Sequence, residues 1–183
     1  TVNDRSASMN APADDLLTWL ELAAIAGLIG PANDTVRPTP AAETWLHADP
    51  AAMWATLVDS WLDSDRPLGA CQPEELGSLT LTGKPRTAHH RRHVLAVWPP
   101  HADLLQETVA WERPRMHEAQ AQAAGFLDEA VRLGLVVGGV PTVAMAALPD
   151  DVAAAAAEVP AADSGGLIVQ PDHTVIAPLS VDT

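Results

Sequence analysis

Basic side chains and histidines are concentrated in one short stretch of the chain. Four of the ten Lys and Arg residues lie within nine positions, and three histidines are interleaved with them. Arginine and lysine can donate charge-assisted hydrogen bonds to phosphate oxygens, so such a cluster can position a nucleic-acid backbone. The pattern predicts a local phosphate-contacting patch, whose candidate nucleic-acid contacts are Lys84, Arg86, Arg91 and Arg92.

The histidines of this stretch also permit a metal site. His89 and His93 are four residues apart, a spacing that places both on one face of a helix. A tetrahedral site needs further ligands, however, and the single cysteine, Cys71, is distant in the sequence. Arg91 and Arg92 would in addition repel a cation. We therefore predict no metal and no cofactor.

No group of residues in the sequence indicates catalysis. The segment from Gly77 to Pro85 resembles a phosphate-binding loop, but five residues rather than four separate its glycines, and Pro85 replaces the hydroxyl residue that coordinates magnesium. The acidic pairs at 14–15 and 150–151 fit helix N-termini better than an acid and base pair. No Ser-His-Asp or Cys-His pattern is evident. We therefore predict a chain without catalytic residues, which is not an enzyme.

Charge and composition restrict the partners. The 183 residues include 10 Lys and Arg against 24 Asp and Glu, a formal net charge of −14, which repels nucleic acid and acidic membranes as a whole. Any contact with DNA must therefore be local. One cysteine forbids an intrachain disulfide, and no apolar run is long enough to span a bilayer. We expect a cytoplasmic protein with no membrane partner.

Residues 14–40 predict a helix followed by a two-stranded ribbon, with Gly27 ending the helix. Asp49 and Pro50 then cap and begin an amphipathic helix, which carries Trp61 on its buried face. Trp98 and Trp111 are instead the tryptophans most expected at the surface, where they could mark a contact surface.

A second stretch repeats this organisation. Helical patterns at 90–97, 102–111 and 116–133 lead through Gly134 into a two-stranded ribbon that extends to Met145. Three helices followed by a hairpin are the winged form of the helix-turn-helix module. The predicted fold class is therefore mainly α with small β-ribbons, in which tandem winged-helix-like units are followed by a C-terminal β-hairpin.

The third of these helices is a poor recognition helix. It carries Glu118, Asp128 and Glu129 against Arg132 alone.

The terminal hairpin is expected to need a partner, because two strands alone leave unpaired edges. We therefore expect the segment 167–177 to dock on the body of the protein or to pair with another molecule. The predicted organisation is a flexible start (1–13), a partial winged-helix unit plus amphipathic helix (14–66), a linker (67–84), a winged-helix unit (85–148), and an Ala-rich helix with the terminal hairpin, which begins a truncated domain (149–183).

Several motifs resemble the helicase-associated, XPB-like family of bacterial proteins. They are Trp45-Leu46, the segment Trp54-Ala-Thr-Leu-Val-Asp-Ser-Trp-Leu62, Gly134-Leu135, Leu148-Pro-Asp-Asp-Val152, Ile168-Val-Gln-Pro-Asp172 and Thr174-Val-Ile-Ala-Pro178. The resemblance covers most of the chain from Leu16 onward. It implies winged-helix units followed by the start of a small mixed domain, and a parent protein associated with nucleic acid. No catalytic residue of that family matches a position here.

Two functions follow as hypotheses. The first is a non-catalytic winged-helix fragment of a helicase-like, DNA-associated protein, in contact with DNA through the local basic patch and with other domains of its parent. The alternative is an acidic protein-protein interaction scaffold without direct DNA contact, which fits the net charge and the acidic third helix better. In either case the terminal hairpin could mediate self-association.

Overall fold

The computed structural model describes residues 13–32, 35–69, 83–84, 86–159, 168–169 and 175–176, and the chain is mainly helical. The helices are α1 (Ala13–Ile25), α2 (Pro40–Leu46), α3 (Pro50–Asp63), α4 (Thr87–Leu95), α5 (Leu105–Glu112), α6 (His117–Arg132), α7 (Val143–Ala147) and α8 (Val152–Ala157), with a 3-10 turn at Ala102–Leu104. The strands are β1 (Ile29–Ala32), β2 (Thr35–Pro38), β3 (Val136–Val137), β4 (Val140–Pro141), β5 (Ile168–Val169) and β6 (Val175–Ile176).

The strands pair as three antiparallel hairpins, β1–β2, β3–β4 and β5–β6. The prediction of a mainly α chain with small β-ribbons is thus confirmed. The start of the chain, Cys71, most of the predicted linker and much of the terminal segment 167–177 lie outside the described residues. Helices of the length and apolar character that a membrane span requires do not occur in the described ranges.

Helix α3 forms as its sequence predicts. The Asp49 carboxylate accepts a hydrogen bond of 2.9 Å from the Ala52 amide, and Pro50 occupies the first turn, where its missing N–H has no consequence. Val58, Trp61 and Leu62 are fully buried on the inner face.

Helices α1 and α6 end with the same local structure. Gly27 and Gly134 have φ of 70° and 72°, a left-handed conformation that glycine adopts without steric cost. The next residue folds back in both places. The Leu28 amide donates to the Ala23 carbonyl at 2.8 Å, and the Leu135 amide donates to Ala130 at 2.9 Å. Each helix therefore leads directly into a hairpin.

The likeness continues after each hairpin. The amides of Thr39 and Thr142 donate to the carbonyls of Leu28 and Leu135, both at 2.9 Å, and the threonine hydroxyls bind the same carbonyls. A short helix, α2 or α7, follows in each case. A capped helix then begins, since the Asp151 carboxylate accepts from the Ala154 amide at 2.9 Å, as Asp49 does at α3.

Two details differ from the prediction. Helix α2 was not predicted, although Pro40 stands in its first turn. The segment from Val143 to Met145, predicted as strand, is helical, because β4 ends at Pro141 and the chain turns at Thr142. A proline has no amide to extend the strand ladder, and the Thr142 amide is already bound to Leu135.

The two predicted units, 14–66 and 85–148, share one hydrophobic core. One cluster combines Leu22 and Trp61 with residues of α6, α7 and α8, and α3 packs along α8. A second cluster lies between α4, α5 and α6 and includes Phe126. Trp98 packs against both clusters, so the prediction of an exposed Trp98 is wrong, whereas Trp111 is 83% exposed as expected.

Candidate nucleic-acid interface

The four predicted phosphate contacts do not lie on one surface. Lys84 and Arg86 are exposed before and at the start of α4. Arg91 is wholly buried on the inner face of that helix, and Arg92 is partly buried. The dense basic cluster in the sequence is therefore divided between the surface and the core.

Arg91 lies at the centre of a buried polar network. Its Nη1 donates to the carbonyls of Trp61 and Ser64, both at 2.7 Å, and its Nη2 donates to the Arg66 carbonyl at 2.9 Å. The Trp61 and Ser64 carbonyls lie at the C-terminal end of α3, where the helix dipole favours a positive charge. The guanidinium carbon also lies 4.9 Å from the ring centre of Trp61 and 5.4 Å from that of Phe126.

Glu129 of α6 neutralises Arg91. One carboxylate oxygen, Oε2, accepts from Arg91 Nε at 3.0 Å and from Trp61 Nε1 at 2.6 Å, while Oε1 accepts from the Leu68 amide at 2.9 Å. Burial lowers the pKa of the Arg91 guanidinium from its usual value, and the adjacent Glu129 carboxylate opposes that change. The prediction that Arg91 contacts phosphate is wrong for this fold, because its charge is enclosed and paired.

Arg92 is also engaged. Its Nη2 donates to the Asp63 carboxylate at 2.5 Å, and its Nη1 lies 3.4 Å from the Pro149 carbonyl. The Arg92 side chain is 39% exposed, so solvent screens this ion pair. A phosphate at Arg92 would nevertheless have to displace Asp63.

Arg86 borders a groove that the sequence did not predict, because its lining residues come from two separate segments of the chain. The groove has a volume of about 450 Å³ and lies where the first turns of α4 and α6 meet. Within the described part of the chain, neither Arg86 nor Arg115 forms an ion pair. The lining residues are Arg86, His89, His90, Arg115, Met116, His117 and Glu118.

The backbone adds to the positive character of this groove. Helix N-termini carry partial positive charge on their unpaired amides, and the start of α6 provides such an end. At the start of α4, the Ala88 amide already donates to the Asp65 carboxylate at 3.1 Å. The residues that precede the two helices, Arg86 and Met116, make no capping hydrogen bond with their side chains. Arg86 also has φ of 72°, and it is the one non-glycine residue with positive φ in the described ranges. Strained backbone of this kind often occurs at binding sites.

The histidines pack together at one side of the groove. The rings of His89 and His93 make an edge-to-face contact with centroids 4.4 Å apart, and His89 lies 5.9 Å from His90. His90 Nε2 is 3.6 Å from the Glu118 carboxylate. In the described ranges, no group of three or more His, Cys, Asp or Glu side chains is arranged to hold a metal ion.

His93 gives the fold a dependence on pH. Burial lowers the pKa of His93 below 6.5, and the nearby His89, Arg113 and His90 lower it further. The unfolded chain therefore binds a proton at His93 more readily than the folded chain does. Stability should fall as the pH decreases through 6.5 and stop falling below the folded pKa. We expect His93→Gln to reduce this loss in urea titrations at pH 7 and pH 5, whereas equal losses in both proteins would contradict the assignment.

A second buried ion pair joins α1 to the segment after α3. Glu21 is fully buried and pairs with Arg66 through Oε1 and Nε, and its Oε2 accepts from the Gly69 amide at 2.7 Å. Because the Arg66 carbonyl also accepts from Arg91, the two ion pairs are connected. Residues 64–69 are therefore held by carboxylates from α1 and α6.

Helical spacing is the signal that could have identified Arg91 and Glu129 as buried. Arg91 lies three and four positions before Val94 and Leu95, and Glu129 lies three positions after Phe126. Arg91, Val94 and Leu95 lie on the inner face of α4. Phe126 and Glu129 lie on the inner face of α6. Arg115 was missed for another reason, since it joins Arg86 only through the packing of α4 on α6.

Comparison of the chain with protein-family models, with curated proteins and with solved structures produced no match. The function is therefore inferred from the groove and the fold alone.

Proposed function

We propose that the chain is a non-catalytic, winged-helix module of a helicase-like, DNA-associated protein, and that it contacts phosphates through the groove at the starts of α4 and α6. The observation that carries the proposal is the placement of Arg86 and Arg115, which are exposed and form no ion pair with described residues, beside the N-terminus of α6. Anions bind at such ends because backbone amides and arginine side chains act together.

The order of elements supports the winged-helix part of the proposal. Helices α4, α5 and α6 are followed by the β3–β4 hairpin, and the Ala102 amide donates to the Gly139 carbonyl at 2.9 Å. This bond ties the hairpin turn to the connection between the first two helices. The repeated Gly, Thr and Asp structures after α1 and α6 support a second, partial unit in the first half of the chain.

The groove favours contact with phosphates over base readout. In winged-helix proteins the third helix usually enters the major groove, but the exposed face of α6 carries Asp128, which a phosphate backbone would repel. Gln120, which could read a base, donates from Nε2 to the Arg113 carbonyl at 2.8 Å. The expected binding is therefore independent of sequence and strongly dependent on salt.

The test is a titration of fluorescent duplex and single-stranded DNA at low and physiological salt. We expect salt-dependent binding, and we expect Arg86→Ala with Arg115→Ala to weaken it for every sequence. Each lost phosphate contact reduces the slope of log affinity against log salt by about 1, so the double variant should reduce it by about 2. Circular dichroism should be unchanged, since both side chains are exposed.

The matched control is Arg37→Ala with Arg92→Ala, which removes the same charge elsewhere. Arg37 is exposed on β2, and Arg92 is held by Asp63. An equal loss in this control would mean that net charge, rather than the groove, determines binding. The absence of any salt-dependent binding by the unmodified chain would contradict the proposal altogether. Arg91→Ala does not serve as a test, because it removes a buried ion pair.

An acidic protein-interaction scaffold is the second candidate. The β3–β4 hairpin favours it, because the hairpin exposes Val137 and Val140 and carries no basic residue, and Val143 beyond it is 68% exposed. A wing that contacts DNA normally presents polar or basic groups to the backbone. Apolar side chains at this position suit a protein surface better.

A further inference from the structure

Helix α5 has an inner face that is buried and an outer face that exposes large apolar groups. Leu105 and Val109 lie in the core cluster beneath it. On the outside, Trp111 is 83% exposed and Leu104 is 42% exposed, and both line one open depression on the surface. A partner that covered the exposed indole ring of Trp111 would remove its apolar surface from water, which favours binding.

Carboxylates frame this apolar surface. Glu107 and Glu112 line the same depression, together with the small side chains of Thr108 and Ala110, and no basic residue of the described ranges lines it. Asp103, next to Leu104, is also exposed. A tryptophan within an acidic border matches a bulky apolar side chain that is flanked by cations, because indole rings and carboxylates both attract Arg and Lys.

We propose that the outer surface of α5 and of the 3-10 turn before it, formed by Leu104, Glu107, Trp111 and Glu112, binds a basic, apolar segment of a partner protein. In that segment, a large apolar side chain packs on Trp111 while Lys or Arg side chains pair with Glu107 and Glu112. This inference names the partner class for the second function proposed above. It is independent of the phosphate groove, since it involves none of the residues of that groove.

The charges of the surface exclude the other occupants. Nucleic acid and anionic membranes would be repelled by Glu107, Glu112 and a net charge of −14. A second copy of the chain, paired symmetrically through this surface, would bring like carboxylates together, which opposes association. A cationic peptide segment is the occupant that gains from both the apolar and the charged groups.

The test uses three synthetic helical peptides of equal length as probes, made of Leu and Lys, of Leu and Glu, or of Ser and Lys. Isothermal titration calorimetry should show that the Leu and Lys peptide binds more tightly than the other two. Interfacial tryptophans often dominate binding, so Trp111→Ser should weaken this binding by about tenfold or more, and Leu104→Ser should weaken it less. Trp19→Ser is the control, since Trp19 is also exposed, at 47%.

The contribution of charge is tested by Glu107→Gln with Glu112→Gln. This variant should weaken binding and flatten its salt dependence. The matched control is Glu43→Gln with Asp59→Asn, because both side chains are exposed, on α2 and α3. Equal losses in the two double variants would overturn the proposal, because binding would then follow net charge alone.

Three further results would overturn the proposed occupant. The first is unchanged affinity of the Leu and Lys peptide for Trp111→Ser, and the second is an equal loss with Trp19→Ser. The third is a dimer in sedimentation experiments that Trp111→Ser dissociates, since the surface would then bind a second copy. Loss of DNA binding in the Arg86 and Arg115 variant, measured separately, tests the phosphate groove and leaves the α5 surface unaffected.

Discussion

Replacing Glu129 with alanine is expected to lower the free energy of unfolding by about 3–5 kcal/mol. The carboxylate accepts from Arg91, Trp61 and the Leu68 amide, and all three donors would lose their partner inside the core. An unpaired buried guanidinium is the largest of these costs. Because small domains are stable by only about 5–15 kcal/mol, a loss of this size should appear as a large shift in a urea titration followed by circular dichroism.

A neighbouring residue on the same helix provides the control. Asp128→Ala removes an exposed carboxylate one position earlier and should change stability by less than about 0.5 kcal/mol. Replacing both members of the pair, as Arg91→Met with Glu129→Leu, should cost less than Glu129→Ala, because no charge is left buried, although Trp61 Nε1 and the Leu68 amide still lose their acceptor. Equal destabilisation by Glu129→Ala and Asp128→Ala would show that the buried network contributes little.

Glu21→Ala is expected to have an effect of similar size, about 3–5 kcal/mol, for the same physical reason. Glu21 is fully buried, and its loss leaves the Arg66 side chain and the Gly69 amide without this carboxylate. The two variants should differ in the part of the protein that is destabilised. Hydrogen exchange should increase first in α1, which the ion pair joins to residues 64–69, while α5 and α6 remain protected.

Glu43→Ala is the control for this variant, since Glu43 is an exposed residue of α2. It should leave both the urea midpoint and the exchange of α1 almost unchanged. Uniform acceleration of exchange in Glu21→Ala, at α6 as much as at α1, would mean that the ion pair stabilises the whole molecule and does not specifically anchor α1.

Local signals in the sequence were sufficient for much of the fold. The Asp49-Pro50 pair fixes the start of α3 through a side-chain cap and a proline at its first turn, both of which depend only on neighbouring residues. Gly27 and Gly134 mark helix ends because only glycine takes positive φ there at little cost. These features were predictable because each is determined within a few residues along the chain.

The candidate site was less predictable because it depends on contacts between distant segments. Arg91 and Glu129 are 38 residues apart. Because both are charged, the sequence predicts that they are exposed, and only the packing of α4 on α6 shows that they form a buried pair. Arg115 follows α5, and only the same packing brings it to Arg86. Helix α2 was missed because it is short. The structure also shows that the Thr39 hydroxyl before it binds the Gly27 and Leu28 carbonyls and does not cap the helix.

The segment 64–69 has a consequence for how the protein can be divided. Its amides and carbonyls bind ionic side chains from both the first and the second half of the described chain, through Glu21, Arg91 and Glu129. A cut before this segment would separate Glu21 from Arg66, and a cut after it would separate Arg91 and Glu129 from the carbonyls and the amide that they bind. The two halves contain the same local motifs but contribute to one buried network, so we expect neither half to fold without the other.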